Sequence, residues 1–526
     1  MTLNMSQNVI ALSQENLELK EEVRLLKNQL DWFKKQLFGQ KTEKRLVEIP
    51  DEQLSLLDLL SPPVKASTPE GEVITVSYQR RLGKLRADDT LNEAGLRFND
   101  QVPVEVIEIL PAELQGPDAD DYEIIGLKQT FRLAQRPSSY VILRYDRPII
   151  KHRTTQVIAP SPAPDNVLDK SLSDVSFIVG LLIDKFQYHI PFYRQHQRLN
   201  HGGITLSRST LTNLSQRSID LLRPIVMAQL DHVLRSKVLA MDETPIKAGL
   251  SSPGKLKQAW FWPIYGQDDE VVFTFSTSRG RFHIEKQLKE RFCGTLISDG
   301  YSAYARFAQQ AEGVTHAQCW VHTRRQFINA QTHATEAVNT ALDLIGKLYH
   351  FEEQIKQQHL QGELKRNYRL LHSKPIVEQF FEWALQQSER TDLTPKDPFR
   401  KAIHYALTKQ TALQVFLSDP EVPLDTNHLE IALRPIPMGR KNWLFCWTEM
   451  GAEQVGIIQS LITTCKLHDI NPYTYLTDVL LRINQHPAKD IIQLTPRVWK
   501  ATFAHNPLKS ELFTKTNSAL SKQAQY

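Results

Sequence analysis

Two aspartates that follow apolar runs are the residues best suited to chemistry. Asp242 comes directly after the apolar run at 237–241, and Asp299 comes directly after the run at 294–298. Paired carboxylates at strand ends suit hard divalent cations, which take one or two carboxylates together with phosphate oxygens of the substrate. Two such cations stabilise the attacking and leaving oxygens of an in-line phosphoryl displacement. Either aspartate alone has an ordinary explanation, because Asp is common in the turns after strands.

The elements around these aspartates follow the order of an RNase H-like α/β domain. The apolar runs and turn residues predict three strands, a helix, a strand, a helix and a strand, at 237–241, 259–265, 271–275, 281–291, 294–298, around 303 and at 317–320. In this topology the first and fourth strands are neighbours, so both carboxylates are expected at one place. We therefore assign residues 235–330 to the first part of a catalytic core.

A third carboxylate is predicted on a helix much further along the chain. Residues 331–420 have a helical pattern with few glycines and are interpreted as an insertion. Asp425 is then predicted as the N-cap of a short helix that carries Glu430. An ion pair between Glu430 and Arg434, four residues later, is the ordinary interpretation of this glutamate. Residues 421–490 are assigned to this helix and further closing helices, and residues 491–526 to a solvated basic tail.

Composition excludes several classes of protein. The 526 residues, 41% of them hydrophobic, predict a globular chain of several domains. Lys and Arg number 63 against 59 Asp and Glu, so a nucleic-acid surface must come from local clusters of basic residues. The four cysteines include no CxxC pair, which excludes a Cys₄ zinc ribbon and a dense disulfide scaffold. We expect a cytoplasmic, nucleoid-associated protein without a membrane segment, because no leader opens the chain and the apolar runs are short.

Residues 1–45 are predicted to form a parallel two-stranded coiled coil. Apolar residues repeat at heptad spacing from Val9 onwards, and the charged residues at the flanking positions match in sign. Asn16 at a core position fixes register and favours a parallel pair. The alternative is an amphipathic helix that packs on its own chain. The residues expected to form the dimer seam are Leu12, Asn16, Leu19, Val23, Leu26, Leu30, Phe33 and Leu37.

Three segments separate this zipper from the core. Residues 46–75 are interpreted as a linker, residues 76–160 as a small β-rich module, and residues 165–230 as a helical region. Two helices joined by Gly202 and Gly203 fit a DNA-binding helix-turn-helix, although any helical hairpin gives the same pattern. The candidates for DNA contact in these segments are Arg80, Arg81, Lys84, Arg86, Arg208 and Ser209. A solvated charge cluster remains the ordinary interpretation of the basic run at 80–86.

Ordered blocks of sequence resemble the insertion sequence 66 family of bacterial transposases. These blocks cover nearly the whole chain and are Phe38-Gly-Gln-Lys, His189-Ile-Pro-Phe-Tyr-Arg-Gln, Leu206-Ser-Arg-Ser-Thr-Leu, Asp242-Glu-Thr-Pro, Asp299-Gly-Tyr, Cys319-Trp-Val-His-Thr-Arg-Arg, Asp425-Thr-Asn-His-Leu-Glu and Gly439-Arg-Lys-Asn-Trp-Leu-Phe. The resemblance implies a DDE transposase that cuts element ends and joins the 3′-OH to target DNA. It implies that Asp242, Asp299 and Glu430 are the catalytic residues and hold Mg²⁺ or Mn²⁺.

The resemblance also implies partners. The expected partners are the terminal inverted repeats of the element, target DNA, a second copy of the chain through the zipper, and small accessory proteins. Independently of the resemblance, His322, Arg324 and Arg325 are expected to face the DNA backbone or the active site, and Arg440 and Lys441 are candidate phosphate contacts. Members of the family usually carry a cysteine-bearing zinc module before the core, but here no cysteine precedes Cys293, so no zinc is expected. Three alternatives remain open: an RNase H-like nuclease, a dimeric DNA-binding regulator without catalysis, and a decayed element whose catalytic motifs survive without activity.

Overall fold

The computed structural model describes residues 90–91, 96–98, 102–117, 119–136, 139–160, 164–252 and 254–513. The predicted zipper at 1–45, the linker at 46–75 and the basic run at 80–86 lie outside these residues. Contacts divide the chain into two units, Met1–Leu85 with Gln331–Thr335, and Arg86–Ala330 with Glu336–Tyr526. The second unit, described here, is a mixed α/β structure with several sheets.

A long hairpin dominates the first part of this unit. The strands of this part are β1 (Thr90–Leu91), β2 (Arg97–Phe98), β3 (Val104–Glu108), β4 (Tyr122–Arg136), β5 (Ser139–His152) and β6 (Ile158–Pro160), with 3-10 turns at Ala112–Gln115 and Ala119–Asp121. The hairpin consists of β4 and β5. β5 lies between β3, which is parallel to it, and β4, which is antiparallel. Ile107, Leu143 and Tyr145 form an apolar core on one face of this sheet. Strands therefore occupy the region where the sequence predicts a β-rich module.

Helices follow in the region with the helix-turn-helix pattern. They are α1 (Val175–Phe186), α2 (Phe192–His201) and α3 (Arg208–Val233), with the two-residue strand β7 (Ile204–Thr205) between α2 and α3. The hydroxyl of Ser207 accepts the Thr210 N–H and caps α3. Gly203 has φ +80°, a conformation that glycine adopts without strain. β7 pairs with β2, so the connection between the two helices is also part of a small sheet.

The central sheet carries the two aspartates. Its strands are β8 (Val238–Met241), β9 (Thr244–Ser252), β10 (Lys255–Tyr265), β11 (Val271–Ser276), β12 (Gly294–Ser298) and β13 (Val314–Gln318), and its connections contain α4 (Arg281–Leu288) and α5 (Ser302–Gln310). The strand order is β11-β10-β8-β12-β13. β10 is antiparallel to β8 and β11, whereas β12 is parallel to β8 and β13. The first and fourth predicted strands are therefore hydrogen-bonded neighbours.

The prediction missed β9 and displaced one other strand. β9 contains Pro245, Gly249 and two serines, which are poor strand formers, and it forms because it pairs along the extended β10. The fifth core strand was predicted near 317–320 but spans Val314–Gln318. Trp320 instead begins the next helix. Tertiary pairing overrides local strand propensity in both places.

A group of helices separates the two parts of the core in sequence. They are α6 (Trp320–Asn329), α7 (Thr335–Gln357), α8 (Gly362–Tyr368), α9 (Lys374–Ser388), α10 (Pro398–Thr408) and α11 (Gln410–Ser418), with a π-helical turn at Arg369–Ser373. Phe327, Phe380 and Phe399 are fully buried and pack edge to face. The indole N–H of Trp320 donates to the Leu413 carbonyl at 2.9 Å, which ties α6 to α11.

The last helices cover one edge of the central sheet. They are α12 (Asn427–Leu433), α13 (Pro435–Trp443), α14 (Glu449–Leu467), α15 (Pro472–Arg482) and α16 (Pro496–Thr502), with a 3-10 segment at Ala488–Leu494. The Ser460 hydroxyl accepts the Phe273 N–H at 2.9 Å, and the Thr464 hydroxyl accepts the Val271 N–H at 3.3 Å. α14 thereby satisfies backbone donors on the outer side of β11, which would otherwise be an unprotected sheet edge.

The prediction of a solvated tail at 491–526 is wrong as far as residue 513, where the described residues end. Trp499 is 2% exposed and donates to the Asp478 carboxylate at 2.7 Å. Leu512 is buried in the core of the β3–β5 sheet. The Ser510 hydroxyl donates to Asp174, the residue that caps α1. The prediction relied on the number of basic residues and overlooked the apolar ones. Burial of a few large side chains stabilises the packed segment by more than the solvation of scattered charges opposes it.

Candidate active site

Strand register brings Asp242 and Asp299 to the same height. Ala240 on β8 pairs with Ile297 on β12, and each aspartate lies two residues after its member of this pair. Because the strands are parallel, both carboxylates emerge at the same edge of the sheet. Carboxylate oxygens of Asp242, Asp299 and Glu243 all lie within 4.8 Å of one another. The structure thus brings together the two aspartates that the sequence singled out.

The Asp242 carboxylate lies in an unfavourable place for a negative charge. Burial, together with the neighbouring carboxylates of Glu243, Asp299 and Glu430, raises its pKa to about 7. One favourable contact opposes this effect, because Oδ1 of Asp242 accepts the Glu243 N–H at 2.7 Å. A cation among these oxygens would relieve the repulsion, so the donor set fits a hard divalent ion.

Glu243 has partners that the sequence did not reveal. Its side chain is only 2% exposed and accepts hydrogen bonds from Arg279 Nε at 2.8 Å and from the Tyr304 hydroxyl at 2.7 Å. Burial raises the pKa of Glu243, while these two hydrogen bonds lower it. The Arg279 guanidinium also lies 4.4 Å from the centre of the Tyr301 ring. Glu243 is therefore held by side chains of the protein although it lies beside both aspartates.

Glu430 reaches the same site from α12. Its carboxylate lies 3.4 Å from Arg325 Nη2 and 3.7 Å from His322 Nε2. The expected ion pair with Arg434 is not among the contacts of the described residues. Asp425 is also not the N-cap as predicted, because that position is Thr426, although Asp425 accepts the Asn427 N–H at 2.9 Å. Burial lowers the pKa of His322, which favours a neutral imidazole beside Glu430.

An open cavity of about 500 Å³ contains all three predicted acids. Its lining residues are Asp242, Glu243, Arg279, Asp299, His322, Arg325, Glu430, Leu433, Arg434 and Pro437. The carboxylates suit divalent cations. The three arginines suit phosphate groups, because one guanidinium can donate two parallel hydrogen bonds to two phosphate oxygens. The lining therefore combines groups that suit a divalent cation with groups that suit phosphate oxygens.

Comparison with known proteins identifies the family. A family profile described as "Transposase IS66 family" matches residues 170–454, which include all three acids. The chain belongs to the IS66 family of transposases. Two further profiles match, "IS66 C-terminal element" over residues 460–497 and "Transposase C of IS166 homeodomain" over residues 25–105. Family membership makes transposition the function of this chain and DNA its substrate.

Relatives of similar length occur in Sinorhizobium fredii. One, "Uncharacterized protein y4hP", is 27% identical over 505 residues, which cover 91% of this chain and 89% of the relative. Another, "Uncharacterized protein y4jD", is 30% identical over 366 residues, 65% of this chain and 70% of the relative. Among the described residues of this IS66-family chain, no helix is long and apolar enough to cross a membrane.

The other residues expected to contact DNA lie in different places. Arg208 and Ser209 are exposed in the first turn of α3, and Arg324 and Arg325 are exposed on α6. Arg440 on α13 donates to the Pro245 carbonyl and so ties α13 to β9. Lys441 lies beside it, near the end of the same helix. The zipper residues and the basic run at 80–86 fall outside the described part of the chain.

His316, Cys319 and His322 are spaced in sequence like metal ligands, but they do not form a metal-binding cluster among the described residues. His316 Nε2 lies 2.9 Å from the Ser298 hydroxyl. Cys319 is fully buried, and its sulfur accepts hydrogen bonds from the backbone N–H and hydroxyl of Thr426. Cys319 thus joins the end of β13 to the start of α12, which positions Glu430.

One contact beside the second aspartate has no counterpart in the sequence-based predictions. Tyr405 on α10 packs directly against Gly300, and a Cβ at residue 300 would overlap the phenol. With its amide oxygen facing them, Gln318 accepts from the Tyr405 hydroxyl at 2.9 Å and from the Gly300 N–H at 3.1 Å. The glycine directly after Asp299 was the available signal, since glycine often marks a close approach of another group to the backbone.

Proposed function

We propose that this chain is a DDE transposase in which Asp242, Asp299 and Glu430 hold Mg²⁺ or Mn²⁺ on an RNase H-like core. The observation that carries the proposal is the position of Asp242 and Asp299 at level ends of two parallel strands, on a cavity that Glu430 also lines. The strand order, with three antiparallel strands followed by two parallel ones, supports the fold assignment.

The proposed chemistry has two steps. Water attacks a phosphodiester at the end of the element, which leaves a 3′-hydroxyl on the element strand and a 5′-phosphate on the flanking strand. The 3′-oxygen then attacks a phosphodiester of target DNA and displaces a 3′-oxygen of the target strand. Each joining step forms one phosphodiester and breaks one. Divalent cations, when bound, stabilise the attacking and leaving oxygens in such displacements.

The protein's own side chains have defined parts in this scheme. Asp242 and Asp299 supply carboxylate oxygens from rigid strand ends, which holds these ligands in place during the reaction. Arg325 pairs with Glu430 in the absence of substrate and offers a guanidinium to a phosphate in the same cavity. Arg279 also lines the cavity, and Glu243 holds its guanidinium by a hydrogen bond.

We further propose that residues 1–45 form a parallel coiled coil and that the transposase acts as a dimer or higher oligomer. The heptad seam around Asn16 supports this proposal. Residues 165–230, with Arg208 and Ser209 at the start of α3, are proposed to contact the element ends, and small accessory proteins are proposed as partners. Sedimentation of the double variant Leu19→Asp/Leu26→Asp should give a monomer, and an unchanged oligomer would contradict the zipper.

The proposed reaction is tested with purified protein, Mg²⁺, a labelled duplex of an element end and a target plasmid. The wild-type protein should cleave the end and join it to the plasmid, and chelation by EDTA should stop both steps. Asp242→Asn and Asp299→Asn should abolish both steps while binding to the labelled end persists. Asp343→Asn, an exposed position on α7, is the matched control and should behave as wild type.

The outcomes separate this proposal from its rivals. Cleavage without joining would favour a nuclease, since only a transposase transfers the 3′-OH to a second DNA. DNA binding without any metal-dependent step would favour a regulator. Full activity of Asp242→Asn or Asp299→Asn would remove that residue from the proposed metal site.

A further inference from the structure

A second polar cleft, of about 410 Å³, lies between α10 of the helical insertion and α6. Its lining residues are Gln326, Pro395, Arg400, Lys401, His404, Tyr405 and Thr408. Arg400, Lys401, His404 and Thr408 recur at helical spacing, so they lie on one side of α10. The lining contains two permanent cations and a histidine but no Asp or Glu.

The basic side chains of this cleft are not neutralised by acids of the described chain. Among the described residues, Lys401 and His404 have no side-chain ion pair. Arg400 donates through Nη1 to the Leu393 carbonyl at 2.8 Å, which fixes the guanidinium without cancelling its charge. Asp397, the acid closest in sequence, accepts the Phe399 N–H at 2.7 Å as the cap of α10. The cleft therefore presents uncompensated positive charge to solvent.

Two residues connect this cleft to the active site. Tyr405 lines the cleft and also packs against Gly300, the residue after Asp299. Gln326 lines the cleft and follows Arg325 in sequence. Arg325 contacts Glu430 and lines the cavity that contains the three predicted acids, which we call the acidic cavity. A DNA strand that leaves the acidic cavity on this side would meet the basic cleft next.

We propose that this basic cleft binds the sugar-phosphate backbone of target DNA during strand transfer. Cations bind phosphates irrespective of sequence, whereas recognition of a defined sequence requires contacts to base edges. The element end has a defined sequence, but target DNA must be held whatever its sequence. A cleft whose charged groups are Arg400 and Lys401 suits the second task. The inference rests on the proposed transposase reaction and names the substrate that this surface holds.

The test uses the full-length protein and the double variant Arg400→Gln/Lys401→Gln. A labelled end with its 3′-OH already exposed is joined to increasing amounts of plasmid, so that cleavage of the end does not limit the rate. The target concentration for half-maximal joining should rise about tenfold, and the slope of log affinity against log salt for random-sequence duplex should fall by about two, one for each lost phosphate contact. Cleavage of an intact end should match wild type.

Controls separate a lost contact from a general loss of charge. Lys356→Gln/Lys374→Gln removes the same net charge from exposed positions of the same insertion, outside the cleft, and should behave as wild type. Lys401→Glu leaves the hydrogen bond between Arg400 and the Leu393 carbonyl intact. It should raise the target concentration for half-maximal joining more than Lys401→Gln does. Thermal unfolding of each variant checks that the fold is retained.

The possible failures are distinct. If wild type joins DNA and Arg400→Gln/Lys401→Gln has an unchanged target requirement and salt slope, the inference is wrong and the proposed function stands. If the double variant loses cleavage of the element end to the same extent, the cleft serves the end and not the target, which also overturns the inference. If wild-type protein binds DNA but does not join it, the proposed function itself fails.

Discussion

Tyr405 of the helical insertion packs so closely on Gly300 that a methyl group at residue 300 would overlap its ring. The contact spans more than a hundred residues of sequence and lies next to Asp299, whose Oδ1 accepts the Tyr301 N–H at 2.8 Å. The insertion is therefore part of the wall that fixes the second aspartate. A change at Tyr405 itself is expected to reach the active site through this contact.

Gly300→Ala tests this contact. The new methyl group must displace Tyr405 or the end of β12, and overpacking of this kind costs about 1–3 kcal/mol of unfolding free energy. A shift of Asp299 by about 1 Å is expected to reduce joining about 10²-fold. Gly346→Ala is the matched control, because a Cβ at that helical position meets nothing within 4 Å. Denaturant unfolding and strand transfer measure the two effects, and wild-type values for Gly300→Ala would contradict the role of Tyr405.

The sequence alone was sufficient to predict that Asp242 and Asp299 lie together, because both follow apolar strands in a recognisable order of elements. Glu430 was identified only through family resemblance, since its local spacing favours an ion pair with Arg434. The actual partner, Arg325, is more than a hundred residues away, and sequence patterns do not report such packing. The extended strand β9 and the buried Leu512 were missed for the same reason, since tertiary partners and not local propensity place them.

The pH dependence of stability should reveal the raised pKa of Asp242. Because its pKa of about 7 in the folded protein exceeds the ordinary value of 3.8, the folded state binds more protons than the unfolded state between these pH values. Without divalent cations, the contribution of this group to the unfolding free energy should therefore fall as pH rises from about 4 to 7. The total is at most about 4 kcal/mol, at about 1.4 kcal/mol per pKa unit.

Denaturant titrations at pH 5 and pH 8 in EDTA measure this effect. Asp242→Asn should be more stable than wild type at pH 8 and should show a smaller difference between the two pH values. Mg²⁺ should restore stability to wild type at pH 8 but not to Asp242→Asn, because the cation replaces the proton among the carboxylates. Asp343→Asn again serves as the control, and an identical pH response in Asp242→Asn and wild type would contradict the assignment.

Arg369 should be a determinant of stability rather than of chemistry. The residue is fully buried, and its guanidinium bonds both oxygens of Glu352 at 2.8 Å and the Phe416 carbonyl at 2.8 Å. Arg369→Met leaves the partly buried Glu352 carboxylate and the Phe416 carbonyl without this donor, at a cost of up to about 3–5 kcal/mol. Thermal unfolding measures the loss, with Lys356→Met on the surface of α7 as control. A change below about 1 kcal/mol would show that the helical insertion does not depend on this network.

Two glutamates line the cavity, and either could supply the third carboxylate beside Asp242 and Asp299. Glu243 lies within 4.8 Å of the aspartates but is bound by Arg279 and Tyr304, whereas Glu430 is paired with Arg325 and His322 at the cavity surface. An ion pair with exposed Arg325 is exchanged more readily for a cation than the contacts of buried Glu243. Glu430 is therefore expected to be the ligand, and Glu243 to position Arg279.

The decisive measurement compares Glu430→Gln with Glu243→Gln at saturating Mg²⁺. The rate at which each variant joins a labelled end with a free 3′-OH to target DNA shows which glutamate is the third ligand. Glu430→Gln should reduce the joining rate by about 10³-fold, whereas Glu243→Gln should stay within about tenfold of wild type. Both variants should bind the end DNA as wild type does. Active Glu430→Gln together with inactive Glu243→Gln would contradict the assignment of Glu430 and make Glu243 the third acidic ligand.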